Sequence, residues 1–98
     1  MRRDLILNQV KEILSKHLHH LPVRVYLFGS WAKNEEKRSS DIDIAIWYKQ
    51  PLPENTLFKI REAFEESAIP YKVDVVDLVE AAPYLSEKVF KEGIEWNV

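Results

Sequence analysis

Residues 27–47 read LFGSWAKNEEKRSSDIDIAIW, two β-type segments joined by a polar loop. Gly29 and Ser30 end the first segment, whereas Asp41 and Asp43 lie within the second. Aspartate is a poor strand residue, and two like charges held close together repel each other. The two aspartates therefore call for a compensating partner that the second segment itself does not contain.

Strand periodicity places both aspartates on the same face. In a strand over residues 41–48, side chains alternate, so the isoleucines share one face and Asp41 and Asp43 share the other, about 7 Å apart along the chain. Bound divalent cations would relieve their repulsion, and Mg²⁺ prefers carboxylate oxygens, water and substrate phosphates. The pattern indicates a metal site of the two-ion type, which needs a third carboxylate.

Asp74 is the best candidate for the third carboxylate. It lies in the middle of a predicted strand, residues 71–78, between two valines. Asp77 has the opposite parity, so a regular strand cannot direct both side chains at the same ions. Asp77 also lies near the strand end, where we expect it to cap the next turn.

The Gly-Ser pair predicts the other half of a site. A strand that turns into a helix at Gly29-Ser30 exposes backbone N–H groups, which together with the helix dipole bind anions. We expect a short helix to start over residues 31–34. The Ser30 hydroxyl can donate to a phosphate oxygen, and Lys33 follows close by, with Lys37 and Arg38 further along the loop.

Outward from this stretch, apolar periodicity and the five prolines divide the chain into elements. We predict helices over residues 4–20, 56–68 (capped by Asn55 or Thr56) and 83–92, with Gly93 as the last stop, and strands over 23–28, 41–48 and 71–78. The tail 94–98 is an edge strand or a docking segment. The expected fold is α/β or α+β, a small mixed sheet with helices packed mainly on its Ile/Val face.

Composition limits the class of protein. The 98 residues predict one domain over residues 1–98, and a net charge of -2 does not favour broad nucleic-acid binding. The chain has no cysteine, hence no disulfide or cysteine metal site. No apolar run is long enough to cross a membrane, and a cytoplasmic protein is expected.

The sequence resembles the minimal nucleotidyltransferase family, a branch of the DNA polymerase beta-like nucleotidyltransferases. The resemblance rests on Gly29-Ser30, ten residues, Asp41-Ile42-Asp43, and later Val73-Asp74-Val75. It implies a polymerase beta-like fold with ATP as substrate. In that family pattern Asp41 and Asp43 bridge two Mg²⁺ ions, Asp74 binds the ion nearer the acceptor, and Gly29 and Ser30 hold the nucleotide phosphates. We expect Lys33 to bind the nucleotide beside them.

Small members of this family are commonly encoded beside a HEPN-domain protein and act as its antitoxins, and some transfer AMP from ATP to a tyrosine of that partner. The resemblance therefore implies a HEPN toxin as partner and leaves self-association open. Two alternatives stay open: an antitoxin that acts by contact alone, and a transferase for a small-molecule hydroxyl.

Two tryptophans also have two interpretations each. Trp31 stands where the family often has arginine, and it is either a core residue or a base-stacking residue. Trp47, on the aspartate face, either lines a ligand pocket or only packs. The three histidines at 17, 19 and 20 are expected to be polar residues near a helix end rather than metal ligands.

Overall fold

The computed structural model describes residues 2–98, with seven elements along the chain. They are α1 (Arg3–Leu18), β1 (Val23–Phe28), β2 (Ile42–Tyr48), α2 (Thr56–Glu65), β3 (Val73–Asp77), α3 (Pro83–Glu92) and β4 (Ile94–Trp96).

The four strands form one mixed sheet in the order β3-β2-β1-β4. β1 runs antiparallel to both β2 and β4, whereas β2 and β3 are parallel and are connected through α2. β4 is the edge strand beside β1, so the tail is a strand, as one of its two interpretations predicted. The mixed α/β fold expected from the sequence is confirmed.

Helices cover the two faces of the sheet unequally. α1 and α2 pack on the face that carries Ile42, Ile44 and Ile46, all fully buried. α3 packs on the opposite face, where Tyr26, Ala45, Leu78 and Val89 form a smaller cluster. Because two of the three helices lie on the Ile/Val face, part of the aspartate face near the strand ends stays open.

The predicted helix at residues 31–34 is wrong. Backbone bonds from the amides of Ala32 and Lys33 to the Gly29 carbonyl, 3.2 and 3.3 Å long, form only a turn. Asn34 has φ 60°, a left-handed conformation that ends helical geometry after this turn.

The second helix is shorter than predicted and lacks a side-chain cap. It ends at Glu65, because the hydroxyl of Ser67 donates to the Phe64 carbonyl (2.7 Å) in competition with helix continuation. Asn55 precedes it with φ 65° and makes no side-chain cap bond, while the Thr56 hydroxyl donates to the Pro53 carbonyl.

The ends of three other elements also shift. β2 begins at Ile42, one residue later than predicted, so Asp41 lies just outside the strand. α1 ends at Leu18 and β3 covers Val73–Asp77, so both are shorter than predicted. Gly93 follows α3 in an extended conformation, and a Cβ there would lie 2.6 Å from the Val89 carbonyl oxygen. Within residues 2–98, no helix is both long and apolar enough to span a membrane.

Candidate active site

The register of the sheet brings Asp43 and Asp74 side by side. β2 and β3 are parallel with Asp43 paired to Asp74, so the two backbones are about 4.8 Å apart and the two side chains share a face. Asp43 is also paired with Phe28, the last residue of β1. Asp41 lies one residue before β2 and is exposed, as is Asp74, whereas Asp43 is half-buried.

The backbone of Gly29 lies against the Asp43 carboxylate. Gly29 has φ 75°, in the left-handed region that favours glycine. A Cβ at this position would overlap Oδ2 of Asp43. Glycine is therefore required twice, by the turn that follows β1 and by the close approach of the chain to the carboxylate.

Burial and repulsion act together on Asp43. Burial raises the pKa of its carboxyl, and the charges of Asp74 and Asp41 raise it further. Within residues 2–98 no hydrogen-bond donor offsets this cost. The site thus holds a concentration of negative charge that a cation would relieve.

The turn after β1 leaves backbone donors free. The amides of Ala32, Lys33 and Glu35 donate to the carbonyls of Gly29 or Ser30. Across the described part of the chain, the amides of Ser30 and Trp31 have no acceptor. Successive free amides beside a glycine with positive φ form an anion-binding concavity.

One cleft, of about 240 Å³, joins the turn to the aspartate face. Gly29, Lys33 and Asp43 line one side, and α3 forms the other. Nζ of Lys33 is 3.2 Å from Oε1 of Glu92 on α3. The hydrogen bond from Lys33, reinforced by its charge, lowers the pKa of the Glu92 carboxyl.

Asp74 opens into a different cleft, of about 460 Å³, along the outer edge of β3. Arg61 of α2 lines this second cleft and donates to the Val75 carbonyl at 2.8 and 3.3 Å. The Asp43–Asp74 pair therefore lies between two openings. Ser30 and Asp41 line neither of these two clefts.

The carboxylates of Asp41, Asp43 and Asp74 are suitable ligands for Mg²⁺, although their present positions do not form a complete coordination site. Among residues 2–98, no three acidic, histidine or cysteine side chains are close enough to hold an ion together. Asp41 and Asp74 are exposed and can rotate towards Asp43, and carboxylates completed by water and phosphate oxygens are the usual Mg²⁺ environment.

Comparison with known proteins agrees with this arrangement. The sequence model of the family described as "Polymerase beta, Nucleotidyltransferase" matches residues 8–95 of the chain. The chain belongs to the polymerase beta nucleotidyltransferase family. The resemblance first seen at the Gly-Ser and Asp-x-Asp motifs is confirmed.

One relative named as an adenylyltransferase matches about half of the chain. A Haemophilus influenzae protein named as a probable protein adenylyltransferase MntA is 42% identical over 53 residues, covering 54% of this chain and 46% of that protein. This chain thus spans about half the length of that relative.

Two solved structures of toxin–antitoxin complexes are similar in fold. One, determined with AMP-PNP, has a TM-score of 0.72 at 30% identity and covers 93% of this chain and 73% of its own. The other contains a tri-AMPylated Shewanella oneidensis HEPN toxin with an MNT antitoxin. Its TM-score is 0.69 at 28% identity, and the match covers 99% of this chain and 74% of the chain in that structure.

The structure of this nucleotidyltransferase decides between the two interpretations of Trp31, core packing and base stacking. Trp31 is only 2% exposed and packs edge-on against Tyr71, with ring centroids 5.0 Å apart. It is a core residue, so base stacking by Trp31 is excluded. Trp47 both packs beside Tyr26 and lines a shallow groove, so both of its interpretations stay compatible with the structure.

Sequence reasoning missed the contribution of α3 to the cleft. The cleft residues of this helix are Leu85, Lys88, Val89 and Glu92. Their spacing of i, i+3, i+4 and i+7 indicates one helix face, a signal present in the sequence. What the sequence lacks is any indication that this face turns towards Gly29 and Asp43.

Proposed function

We propose that the chain is a Mg²⁺-dependent nucleotidyltransferase that moves AMP from ATP to a hydroxyl of a partner protein. The observation that carries the proposal is the pairing of Asp43 with Asp74 beside the Gly29 backbone, between two clefts. One opening suits the nucleotide phosphates and the other suits an acceptor group.

On the nucleotide side, Gly29, Ser30 and Lys33 hold the β- and γ-phosphates. The free amides of the turn and the Ser30 hydroxyl donate to phosphate oxygens. Lys33 adds a positive charge to the 240 Å³ cleft that Gly29 also lines. Glycine at position 29 lets the phosphates approach the backbone without obstruction by a side chain.

On the metal side, Asp41, Asp43 and Asp74 would hold two Mg²⁺ ions. When bound, such ions stabilise the charge that develops on the attacking and leaving oxygens. The raised pKa of Asp43, caused by burial and then by the charges of Asp74 and Asp41, fits this role, because a cation would stabilise the charged form of this carboxylate.

On the acceptor side, Asp74 orients the hydroxyl that enters from the 460 Å³ cleft. The hydroxyl oxygen bonds to the α-phosphorus, and the bond from the α-phosphorus to the bridging oxygen breaks, so that pyrophosphate leaves. The hydroxyl proton passes to the Asp74 carboxylate. Holding both reactants between neighbouring strands supplies the alignment that this in-line displacement requires.

A HEPN-domain toxin is the proposed acceptor, and the chain is its antitoxin. The proposal draws on the similarity to the antitoxin in the complex with an AMPylated HEPN toxin. The proposed acceptor cleft is open and runs along the sheet edge. Such a cleft suits a protein acceptor, whereas a small-molecule acceptor would suit a closed pocket.

The test is incubation with ATP labelled on its α-phosphate, Mg²⁺ and a HEPN-domain protein encoded beside this chain. We expect label on the HEPN protein and none when Mg²⁺ is chelated. Label that persists in Asp43→Asn or Asp74→Asn would contradict the proposed site. Protection of cells by these variants without label would favour an antitoxin that acts by contact.

A further inference from the structure

The lysine proposed to bind phosphate already has an anionic partner. Nζ of Lys33 lies 3.2 Å from Oε1 of Glu92, and both line the cleft that contains Gly29 and Asp43. A triphosphate that reaches Lys33 must therefore displace the Glu92 carboxylate.

The contact is weak enough to open. The side chains of Lys33 and Glu92 are 48% and 42% exposed, and exposed ion pairs contribute little because water screens them. Phosphate oxygens are strong acceptors of charge-assisted hydrogen bonds. A polyphosphate thus competes well for Lys33.

A second lysine lies on the same helix face as Glu92. Lys88 is one turn before Glu92 and lines the same cleft. After the hydrogen bond and charge of Lys33, the charges of Lys88 and Lys91 also lower the pKa of the Glu92 carboxyl, but of these two lysines only Lys88 lines the cleft. When Glu92 leaves, Lys33 and Lys88 face the cleft from opposite sides without a nearby competing carboxylate other than Asp43.

We propose that Glu92 is an internal competitor that holds Lys33 until a nucleoside triphosphate displaces it, and that Lys88 is a second phosphate-binding residue. The inference rests on the proposed nucleotide site. Competition by Glu92 would make the site selective for polyphosphates. A polyphosphate reaches Lys33, whereas a nucleotide with one phosphate does not.

Calorimetric titration with AMP-PNP and Mg²⁺ tests the role of Glu92. We expect Glu92→Gln to bind AMP-PNP about two- to fivefold more tightly than wild type, the range of a surface ion pair. Glu87→Gln is the matched control, because Glu87 lies on the same helix and does not line the cleft. Titration with AMP should give no difference between the two variants.

A double-variant cycle separates competition from a general charge effect. In a Lys33→Gln background, Glu92→Gln should no longer tighten AMP-PNP binding, because the lysine that it releases is absent. A gain that persists in this background would contradict the proposal.

Lys88 is tested in the same titration. We expect Lys88→Gln to weaken AMP-PNP binding about three- to tenfold, since a charge-assisted phosphate contact is lost. Lys91→Gln, on the same helix and outside the cleft, should bind within about twofold of wild type. Equal effects of the two lysine variants would overturn the role of Lys88.

The outcomes distinguish this inference from the proposed function. If wild type binds AMP-PNP and Glu92→Gln behaves like Glu87→Gln, the competitor role is wrong and the proposed function is unaffected. If neither wild type nor any variant binds AMP-PNP with Mg²⁺, both proposals are wrong.

Discussion

At the scale of single residues, Gly29 and Asp43 constrain each other. The left-handed backbone at Gly29 allows the turn that exposes free amides, and the missing Cβ leaves room for the Asp43 carboxylate. A residue change at either position therefore affects both the turn after β1 and the acidic site.

Gly29→Ala should destabilise the protein. A side chain there must adopt a positive φ and overlap the Asp43 carboxylate, so we expect the free energy of unfolding to fall by about 1–3 kcal/mol. Chemical denaturation measures the change, with Ser30→Ala as the control at a neighbouring position. A Gly29→Ala protein as stable as wild type would contradict the described contact.

Asp43→Asn should stabilise the protein and abolish transfer. The pKa of Asp43 is raised, so its charged form opposes folding, and stability falls as pH rises from the ordinary carboxyl pKa to the raised one. Asparagine removes this charge, and we expect a gain of about 0.5–2 kcal/mol at neutral pH. The gain should shrink at acidic pH, where the wild-type carboxyl is protonated. Thermal unfolding of wild type and Asp43→Asn across pH measures this gain. A variant less stable than wild type at neutral pH would contradict the prediction.

At the scale of elements, Asp77 connects the ends of β2 and β3 with the turn before α3. One carboxylate oxygen accepts from the Tyr48 hydroxyl at 2.8 Å, and the other accepts from the amides of Val79 and Glu80. This confirms that Asp77 caps the turn after β3, the role predicted from its position and parity. It also leaves Asp74 as the β3 aspartate on the face of Asp43.

Tyr48→Phe should weaken this junction without affecting transfer. The hydrogen bond to Asp77, then burial, raises the pKa of Tyr48 to about 12. The bond's contribution to stability is therefore complete below the ordinary tyrosine pKa and disappears as pH rises towards about 12. We expect a loss of about 1–2 kcal/mol at neutral pH.

Denaturation of Tyr48→Phe beside Tyr84→Phe measures this loss. Tyr84 is 76% exposed, so its hydroxyl should contribute nothing measurable to stability. Equal stability of the two variants would show that the Tyr48–Asp77 bond makes no net contribution.

Sequence reasoning succeeded where local pattern determines structure. Strand alternation placed Asp43 on the face opposite the isoleucines, and the β1 bounds, 23–28, and the α3 bounds, 83–92, match the structure.

The parts that sequence reasoning missed depend on contacts between distant segments. The sequence predicted Asp74 as the third carboxylate, but not the register that pairs it with Asp43, which is set by packing of β2, α2 and β3 together. Likewise, Lys33 and Glu92 are far apart in the chain and meet only because α3 packs against β1. Local periodicity contains no information on such pairings.

At the scale of the whole molecule, a ligand that binds only the folded state stabilises it. The chain has 98 residues, and a small domain has a steep dependence of melting temperature on free energy. Nucleotide binding should therefore be visible in unfolding experiments without any partner protein.

AMP-PNP with Mg²⁺ should raise the melting temperature of the wild-type protein. At about 100 times the dissociation constant, binding contributes about 2.7 kcal/mol, which corresponds to about 10–20 °C for a domain of this size. The shift should disappear when EDTA is added and in Asp43→Asn. A shift of equal size in EDTA would mean that nucleotide binding does not depend on the metal.

The most direct measurement of the central claim is paramagnetic broadening of amide resonances by Mn²⁺ in the presence of AMP-PNP. With isotope-labelled protein, we expect the earliest broadening at Gly29, Asp43 and Asp74, and its loss in the Asp43→Asn, Asp74→Asn double variant. Broadening centred elsewhere, such as the histidines at the end of α1, or unchanged in the double variant, would contradict the account of the site.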